Sequence, residues 1–457
     1  MARDVPKRSY LGTPATAPGP TGPQMLPAFA AIRRQPLDYL HQSWQRYGDV
    51  VQFPIPRPPS YLLVEPSAVR QVLVDRARDF TKETLQYRSL ALVTGQGLLV
   101  ARDVRERRRV LQPAFHHERL IPLVEHVGQA GGALVEQWRR LPRAWHVDIE
   151  QAMATVALET VGRALFGQDL SGDAQRLVLA TLEGLNVVIA RARMPLAPPS
   201  WVPSPRNRQL ARANAELDRA VHALVSSRAS RSDPSSRHDV IDLLLSARND
   251  EGKALSERQI RDELVTMIVA GHETVASVLT WCLALLASHP DIQQQVREES
   301  TAVVGRGRLS LDALAEMTLV RAVIDETMRL YPPAWLISRK AEVDAELAGA
   351  LIPEGALVIM SPYLVHRHPA YWCNPEVFDP MRFVGTEVPR EAFIPFGAGP
   401  RQCIGRDFAY AEVVALLALL IVHFDFAHTP GAGLPLVDAS VTMRPLAGLH
   451  LVVSALH

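Results

Sequence analysis

The chain has 457 residues, of which 47% are apolar, and a formal net charge of +1 at pH 7. That length and apolar share allow a large buried core, and the near-neutral charge removes any global electrostatic case for nucleic acid as a partner. Three cysteines, Cys282, Cys373 and Cys403, are too few and too scattered for a disulfide framework, so a reducing cytoplasm is the expected compartment.

Residues 1–27, "MARDVPKRSYLGTPATAPGPTGPQMLP", are rich in Pro, Gly and Thr and lack an apolar run long enough for a signal sequence or a membrane anchor. They read as an extended lead-in, with ordered structure expected to begin near Pro27 and one domain to fill 28–457. "QPLDYLHQSWQRYGDVVQFPI" predicts a helix and then a strand, turning at Gly48 and Asp49. "SYLLVEPSAVRQVLVD" predicts a strand and then a helix. Helical periodicity dominates from about 104 to 295. It is broken by a Pro-rich connection at 193–209 and a polar stretch at 227–239. Short β-like runs lie among prolines between 341 and 385, and a long apolar helix follows Cys403. No internal repeat, coiled-coil heptad or clear linker is present. The fold class is therefore mainly α with small sheets (α+β), in one large domain. Lysine occurs only at Lys7, Lys82, Lys253 and Lys340, the other basic residues all being arginine. We read that skew as genome composition rather than function.

The long run "ALSERQIRDELVTMIVAGHETVASVLTWCLALLASHP" carries a capping box at Ser256 and Gln259 and a stop at Pro290. It predicts a helix of roughly 33 residues, or about 50 Å. Being apolar on most sides, it should be buried and central. "AGHET" interrupts its middle. Ala270 and Thr274 share a face, and small Ala270 and Gly271 leave room for a ring or for dioxygen.

Cys403 lies in "FIPFGAGPRQCIG", just before an apolar helical run. Gly397, Gly399 and Pro400 suit a tight turn that brings backbone close to something flat or bulky. A helix N-terminus favours a thiolate there, Gly405 removes a side chain that a planar group would meet, and Arg401 can pair with an anionic group. Most free cysteines are inert core residues, and Cys282 and Cys373 read that way. Zinc fails on spacing: no CxxC pair exists, "HHE" at 116–118 and "HRH" at 366–368 lack partners, and Ala276 stands where a zinc-protease motif begun by "GHETVA" needs its second histidine. Haem iron needs only one strong proximal ligand from the protein, and a cysteinate can be that ligand.

"FGAGPRQCIG" resembles the haem-binding signature of the cytochrome P-450 superfamily, F-x-x-G-x-R-x-C-x-G, through Phe396, Gly399, Arg401, Cys403 and Gly405. "AGHET" resembles that family's oxygen-activating motif. The resemblance implies that Thr274 sits beside the activated oxygen and that Glu273 relays the protons that drive O–O cleavage. His272 is not expected to be a ligand. Glu326 and Arg329 in "VRAVIDETMRLYPPAW" resemble the E-x-x-R motif, and Arg382 in "FDPMRF" would complete a structural cluster. "VRERRRVLQPAFHHERL" resembles the helix that approaches a haem propionate. There Val104 stands at the usual aromatic position while Arg108 remains, so Arg108, Arg339 and Arg401 are the propionate candidates. The arginines at 102, 105, 107, 108 and 109 would offer a basic face to an acidic electron donor.

The resemblance covers roughly residues 28–457. It implies haem b as cofactor, with Cys403 as metal ligand and Ala270 and Gly271 beside the ring. The implied reaction inserts one atom of O2 into a lipophilic small molecule such as a terpenoid, fatty acid or polyketide of secondary metabolism. No flavin or ferredoxin region follows the signature. The expected electron donors are therefore separate proteins, a ferredoxin and its reductase, or a flavodoxin. No membrane or nucleic acid is expected as a partner. Oxidative ring closure, coupling or desaturation at the same site is the alternative; a peroxide-driven enzyme and a haem sensor fit the acid–threonine pair less well. Substrate contacts are expected in 83–98, near 193–204, from Val269 to Thr274 and from Ala334 to Ile337.

Overall fold

The computed structural model describes residues 15–55, 58–102, 104–141, 144–166, 173–192, 198–199, 201–229, 240–249, 252–305, 309–385 and 387–456. Residues 1–14 of the lead-in, 193–197 and 200 of the 193–209 connection and 230–239 of the 227–239 break lie outside them, while the helix Pro205–Ala229 takes up the end of the first interruption and the start of the second. The long helix runs from Glu257 to Ser288, opened by the reciprocal Ser256–Gln259 box, in which the Gln259 N–H donates to Ser256 Oγ at 3.3 Å and the Ser256 N–H to Gln259 Oε1 at 2.9 Å. By length and composition it could cross a membrane, yet most of it is buried inside the protein.

Helices gather around it. Its second half packs in one apolar cluster with His117–Arg139, Ile149–Phe166, Thr318–Leu330 and Arg406–His423. Its first half packs in another with Asp173–Ala192 and Pro205–Ala229. A five-stranded sheet stands to one side, in the order Val50–Phe53, Ser60–Leu63, Leu357–Met360, Ile337–Ala341, Phe80–Thr81. Its pairings are antiparallel except Ser60–Leu63 with Leu357–Met360, which run parallel.

Three expectations change. Ordered structure precedes Pro27: the helix Gly22–Arg34 is capped by Thr21, and the Thr16 hydroxyl meets Tyr61 Oη at 2.7 Å. The helical stretch 104–295 contains a strand, Ala144–Asp148, which pairs with His450–Ala455 some 300 residues on. No local pattern marks so distant a partner. The β-like runs also stop earlier, at Met360, after which the short helix Pro362–Val365, turns and a helical turn at Pro380–Phe383 carry the chain to Gly385.

Glu326, Arg329 and Arg382 meet beneath these layers. Arg329 donates through Nε to Glu326 Oε2 at 2.6 Å and through Nη2 to Oε1 at 2.8 Å, with neither residue exposed. Its remaining donors go to the carbonyls of His366, Pro375 and Val377. Arg382 reaches Glu326 Oε1 at 3.4 Å, and the Asp379 N–H donates to the same oxygen. One helix thereby pins the 366–382 meander. Glu326→Ala would strand a buried guanidinium and should cost about 3–5 kcal/mol, read as a fall in thermal unfolding temperature. An unchanged melt would remove the structural role.

Candidate active site

A cavity of about 1060 Å³ lies between the long helix and the Cys403 loop. Backbone geometry places the thiol. The Cys403 N–H donates to the Phe396 carbonyl at 2.9 Å, folding the loop back on itself before the helix Arg406–His423 begins. Cys403 is open to the cavity that it lines, while protein atoms surround it on its other sides. Burial pushes its thiol pKa up, opposed by the Gly405 N–H and by Arg108, Lys82 and Arg406. Phe396 closes the loop by packing on Tyr410, with ring centroids 5.2 Å apart.

Two of these glycines, Gly399 and Gly271, are also required by the protein's own packing. Gly399 has φ +68, and a Cβ there would stand 2.0 Å from the Leu73 carbonyl oxygen, so the close neighbour is the protein's own backbone. A Cβ on Gly405 would meet Phe115 at an ordinary 3.4 Å, and one on Gly271 would meet Val161 at 2.9 Å. Gly271 thus lets the long helix approach Ile149–Phe166. Ala270 is the residue that opens space: it is exposed midway along a buried helix, and it lines the cavity.

Thr274 donates its hydroxyl to the Ala270 carbonyl at 2.7 Å, and both Thr274 and Glu273 line the cavity. Burial raises the Glu273 pKa, Arg444 opposes and Glu150 adds to it. His272 is buried with its pKa lowered to about 4 by burial, and it does not line the cavity.

The three expected arginines reach the cavity from separate elements. Arg108 donates to the Gln402 carbonyl at 2.6 Å, Arg401 to the carbonyls of Ala101 and Arg102, and Arg339 to Ser338 O at 2.8 Å and Tyr87 Oη at 3.4 Å. Val104 lines the cavity too. The basic helix is not one face. Arg102, Arg105 and Arg109 are exposed, whereas Arg107 turns inward to Glu263 at 3.3 Å and Arg108 to the Cys403 loop.

Sequence reasoning missed several residues that line the cavity or support its wall. Lys82 is one, donating to Leu99 O at 2.9 Å beside Arg339. Its scarcity as a lysine was the available signal. Asp262 and Glu263 are a second omission: they accept from the N–H groups of Gln96 and Leu98 at 2.8 and 2.9 Å, clamping the 83–98 segment to the long helix. The "GQG" of that segment suits the clamp, because a Cβ on Gly95 or Gly97 would lie 2.1 Å from Asp262 Oδ1 or Thr266 Oγ1. Third, Val188, Ile189 and the C-terminal hairpin Val437–Pro445 add cavity walls.

The sequence profile of the family described as Cytochrome P450 matches residues 17–452. The chain belongs to the cytochrome P450 family. It is 31% identical to cyclooctat-9-en-7-ol 5-monooxygenase of Streptomyces melanosporofaciens, over 94% of this chain and 92% of that protein. Pentalenene oxygenase of Streptomyces avermitilis is 32% identical, over 94% and 95%. The crystal structure of CYP175A1 from Thermus thermophillus superposes with a TM-score of 0.76 at 29% identity, covering 96% of this chain and all of that one. This P450 is thus a haem-thiolate, oxygen-incorporating oxidoreductase that binds protoporphyrin IX iron. The fold accords: mostly helical, with small sheets.

The P450 also buries Glu412, on the helix after Cys403, and burial lifts its pKa to about 8. The native carboxyl then keeps a proton that the unfolded chain releases near its ordinary value, so stability falls as pH rises through that window. Glu412→Gln should flatten a slope of up to about 1.4 kcal/mol per pH unit between roughly pH 5 and 8. Denaturant titration at several pH values reads it, and an unchanged slope would refute the assignment.

Proposed function

We propose that this P450 oxygenates a lipophilic terpenoid, inserting one atom of O2, with Cys403 as the iron's proximal ligand. The carrying observation is that the Cys403 thiol, the Glu273–Thr274 pair and the cations Arg108, Arg339 and Arg401 all line one cavity. The two Streptomyces relatives reported above bear terpenoid names, and apolar side chains of the 83–98 segment, Val188, Ile189 and Trp335 suit such a substrate.

The residues fit haem. Among the described residues no carboxylate pairs with Arg108 or Arg339, so the cavity presents positive charge awaiting an anion, which two propionates supply. Held by the Cys403 thiolate, haem would supply iron that activates dioxygen, and a thiolate ligand would favour O–O cleavage. Ala270 leaves the space beside the long helix into which dioxygen fits. Thr274, freed from the Ala270 carbonyl, offers a hydroxyl proton. Glu273 holds its proton longer than an ordinary carboxyl and hands it inward. The apolar walls orient the substrate and exclude water.

Electrons come from separate redox proteins, read here as a ferredoxin and its reductase in the cytoplasm. Exposed Arg102, Arg105 and Arg109, with half-exposed Arg406, form the docking face.

Thr274→Ala should lower product formed per electron consumed several-fold while leaving the ferric spectrum intact. Unaltered coupling would sink the Thr274 role, and loss of the thiolate-haem spectrum on Cys403→Ser checks the ligand. Optical titration with terpenes, fatty acids and macrolides should give a high-spin shift with terpenes; a shift confined to fatty acids would refute the substrate class. Reversing Arg105 and Arg109 to Glu should raise KM for the ferredoxin, more at low salt than at high. A salt-independent KM would move the docking face elsewhere.

A further inference from the structure

We infer that the hydroxyls of Ser440 and Thr442, at the tip of the C-terminal hairpin, hold an oxygen that the substrate already carries. The substrate is accordingly a terpenoid alcohol or ketone and not a bare hydrocarbon. The inference deepens the terpenoid reading above and rests on it.

Strand register builds the tip. Val437–Ala439 and Met443–Pro445 pair antiparallel, with Asp438 opposite Arg444 and Ala439 opposite Met443. Ser440 and Thr442 follow the last of these pairs and stand opposite one another across Val441. The backbone here is held from two sides. The Met443 carbonyl accepts from Ser277 Oγ at 2.7 Å and from Trp281 Nε1 at 3.1 Å, both on the long helix. The Ser440 carbonyl accepts from Trp335 Nε1 at 3.2 Å. Ser277 follows Glu273 by one turn of the long helix, so the tip takes its position from the element that carries the chemistry.

Those bonds all end on backbone carbonyls, and the two hydroxyls are left over. Thr442 is 5% exposed, and among the described residues neither Ser440 Oγ nor Thr442 Oγ1 has a hydrogen-bond partner. Both residues line the cavity, beside Val441 and Trp335. A buried hydroxyl without a partner destabilises a fold, and alanine and valine would fill the same places without that cost. Rotation about Cα–Cβ turns either hydroxyl into the cavity. Each donates one hydrogen and accepts through its oxygen, so the pair can hold an alcohol or a ketone. Asp438, two residues before Ser440, lines the cavity as well and sets a negative charge against any carboxylate there. The substrate's oxygen is therefore neutral. It must be installed earlier, by a hydroxylation or by water capture as the carbon skeleton closes, followed by a dehydrogenation in the ketone's case.

Equilibrium titration of the ferric holoenzyme with p-menthane, menthol and menthone tests this on one carbon skeleton. Wild type should bind menthol or menthone about tenfold more tightly than p-menthane, as one or two neutral hydrogen bonds allow. Thr442→Val with Ser440→Ala should remove most of that preference and leave the affinity for p-menthane unchanged. Thr442→Val alone carries the test if the double variant does not fold. A preference for menthol alone assigns an alcohol, and for menthone alone a ketone. A structural role for the hydroxyls reads differently, because their removal would then lower the unfolding temperature of the ligand-free holoenzyme; here it should stay level or rise. Equal affinity for all three compounds, a preference that survives the substitutions, or a lowered unfolding temperature would overturn the inference. Failure of the terpenoid reading itself is distinct: wild type would ignore all three and respond only to fatty acids.

Discussion

A flat, doubly anionic group must be enclosed by a protein that has to fold around its place, and the rest of this structure follows from that constraint. Lys82, Arg108 and Arg339 face one cavity, and among the described residues none of them is ion-paired with a carboxylate. Left alone, such a cluster opposes folding. The surrounding layers therefore need their own cohesion. The Glu326–Arg329–Arg382 cluster provides part of it, satisfying each buried charge within the protein and tying one helix to a meander that is nearly devoid of strands. The two sets of charges are opposites in design. One is closed and structural, the other open and awaiting a ligand.

The cavity roof uses a third arrangement. The 83–98 segment has little regular structure beyond the short helix Leu85–Thr94, yet it forms much of the wall. Asp262 and Glu263 hold it through backbone N–H groups, and Arg261 adds a donor to the Val93 carbonyl at 3.0 Å. Gly95 and Gly97 permit the approach. Cavity-lining side chains are thus mounted on a segment whose position is set by the long helix, the same element that carries Glu273 and Thr274. Wall and chemistry share one rigid reference.

What the sequence made legible was local. Ser256, Gln259 and Pro290 bound the long helix because caps and stops act within a turn, and Cys403 stood out because its neighbours in sequence are also its neighbours in space. Partners far apart in sequence were not legible. Gly399 meets Leu73, Gly271 meets Val161, Arg107 meets Glu263, and Ala144–Asp148 pairs with the C-terminal strand. Each of these looks ordinary in its own segment. Lys82 is the instructive omission: its rarity was visible, but only the Phe80–Thr81 ladder shows that it stands beside Arg339.

The arginine-rich helix Val104–Leu111 shows how such distant pairings become functional. Neighbouring side chains on it leave in different directions: Arg107 to Glu263 on the long helix, Arg108 to the Gln402 carbonyl next to Cys403, and Arg105 and Arg109 to solvent. A helix advances about 100° per residue, so consecutive positions necessarily face different walls. Two turns are enough to join roof, floor and outer surface. A protein docked on the outer arginines would therefore touch the same short rigid element that braces both walls of the cavity. Charge on its outer side can be exchanged without removing the inner contacts, because Arg107 and Arg108 hold Glu263 and Gln402 through their own side chains. The outer arginine face and the cavity wall are thus mechanically joined but chemically separable.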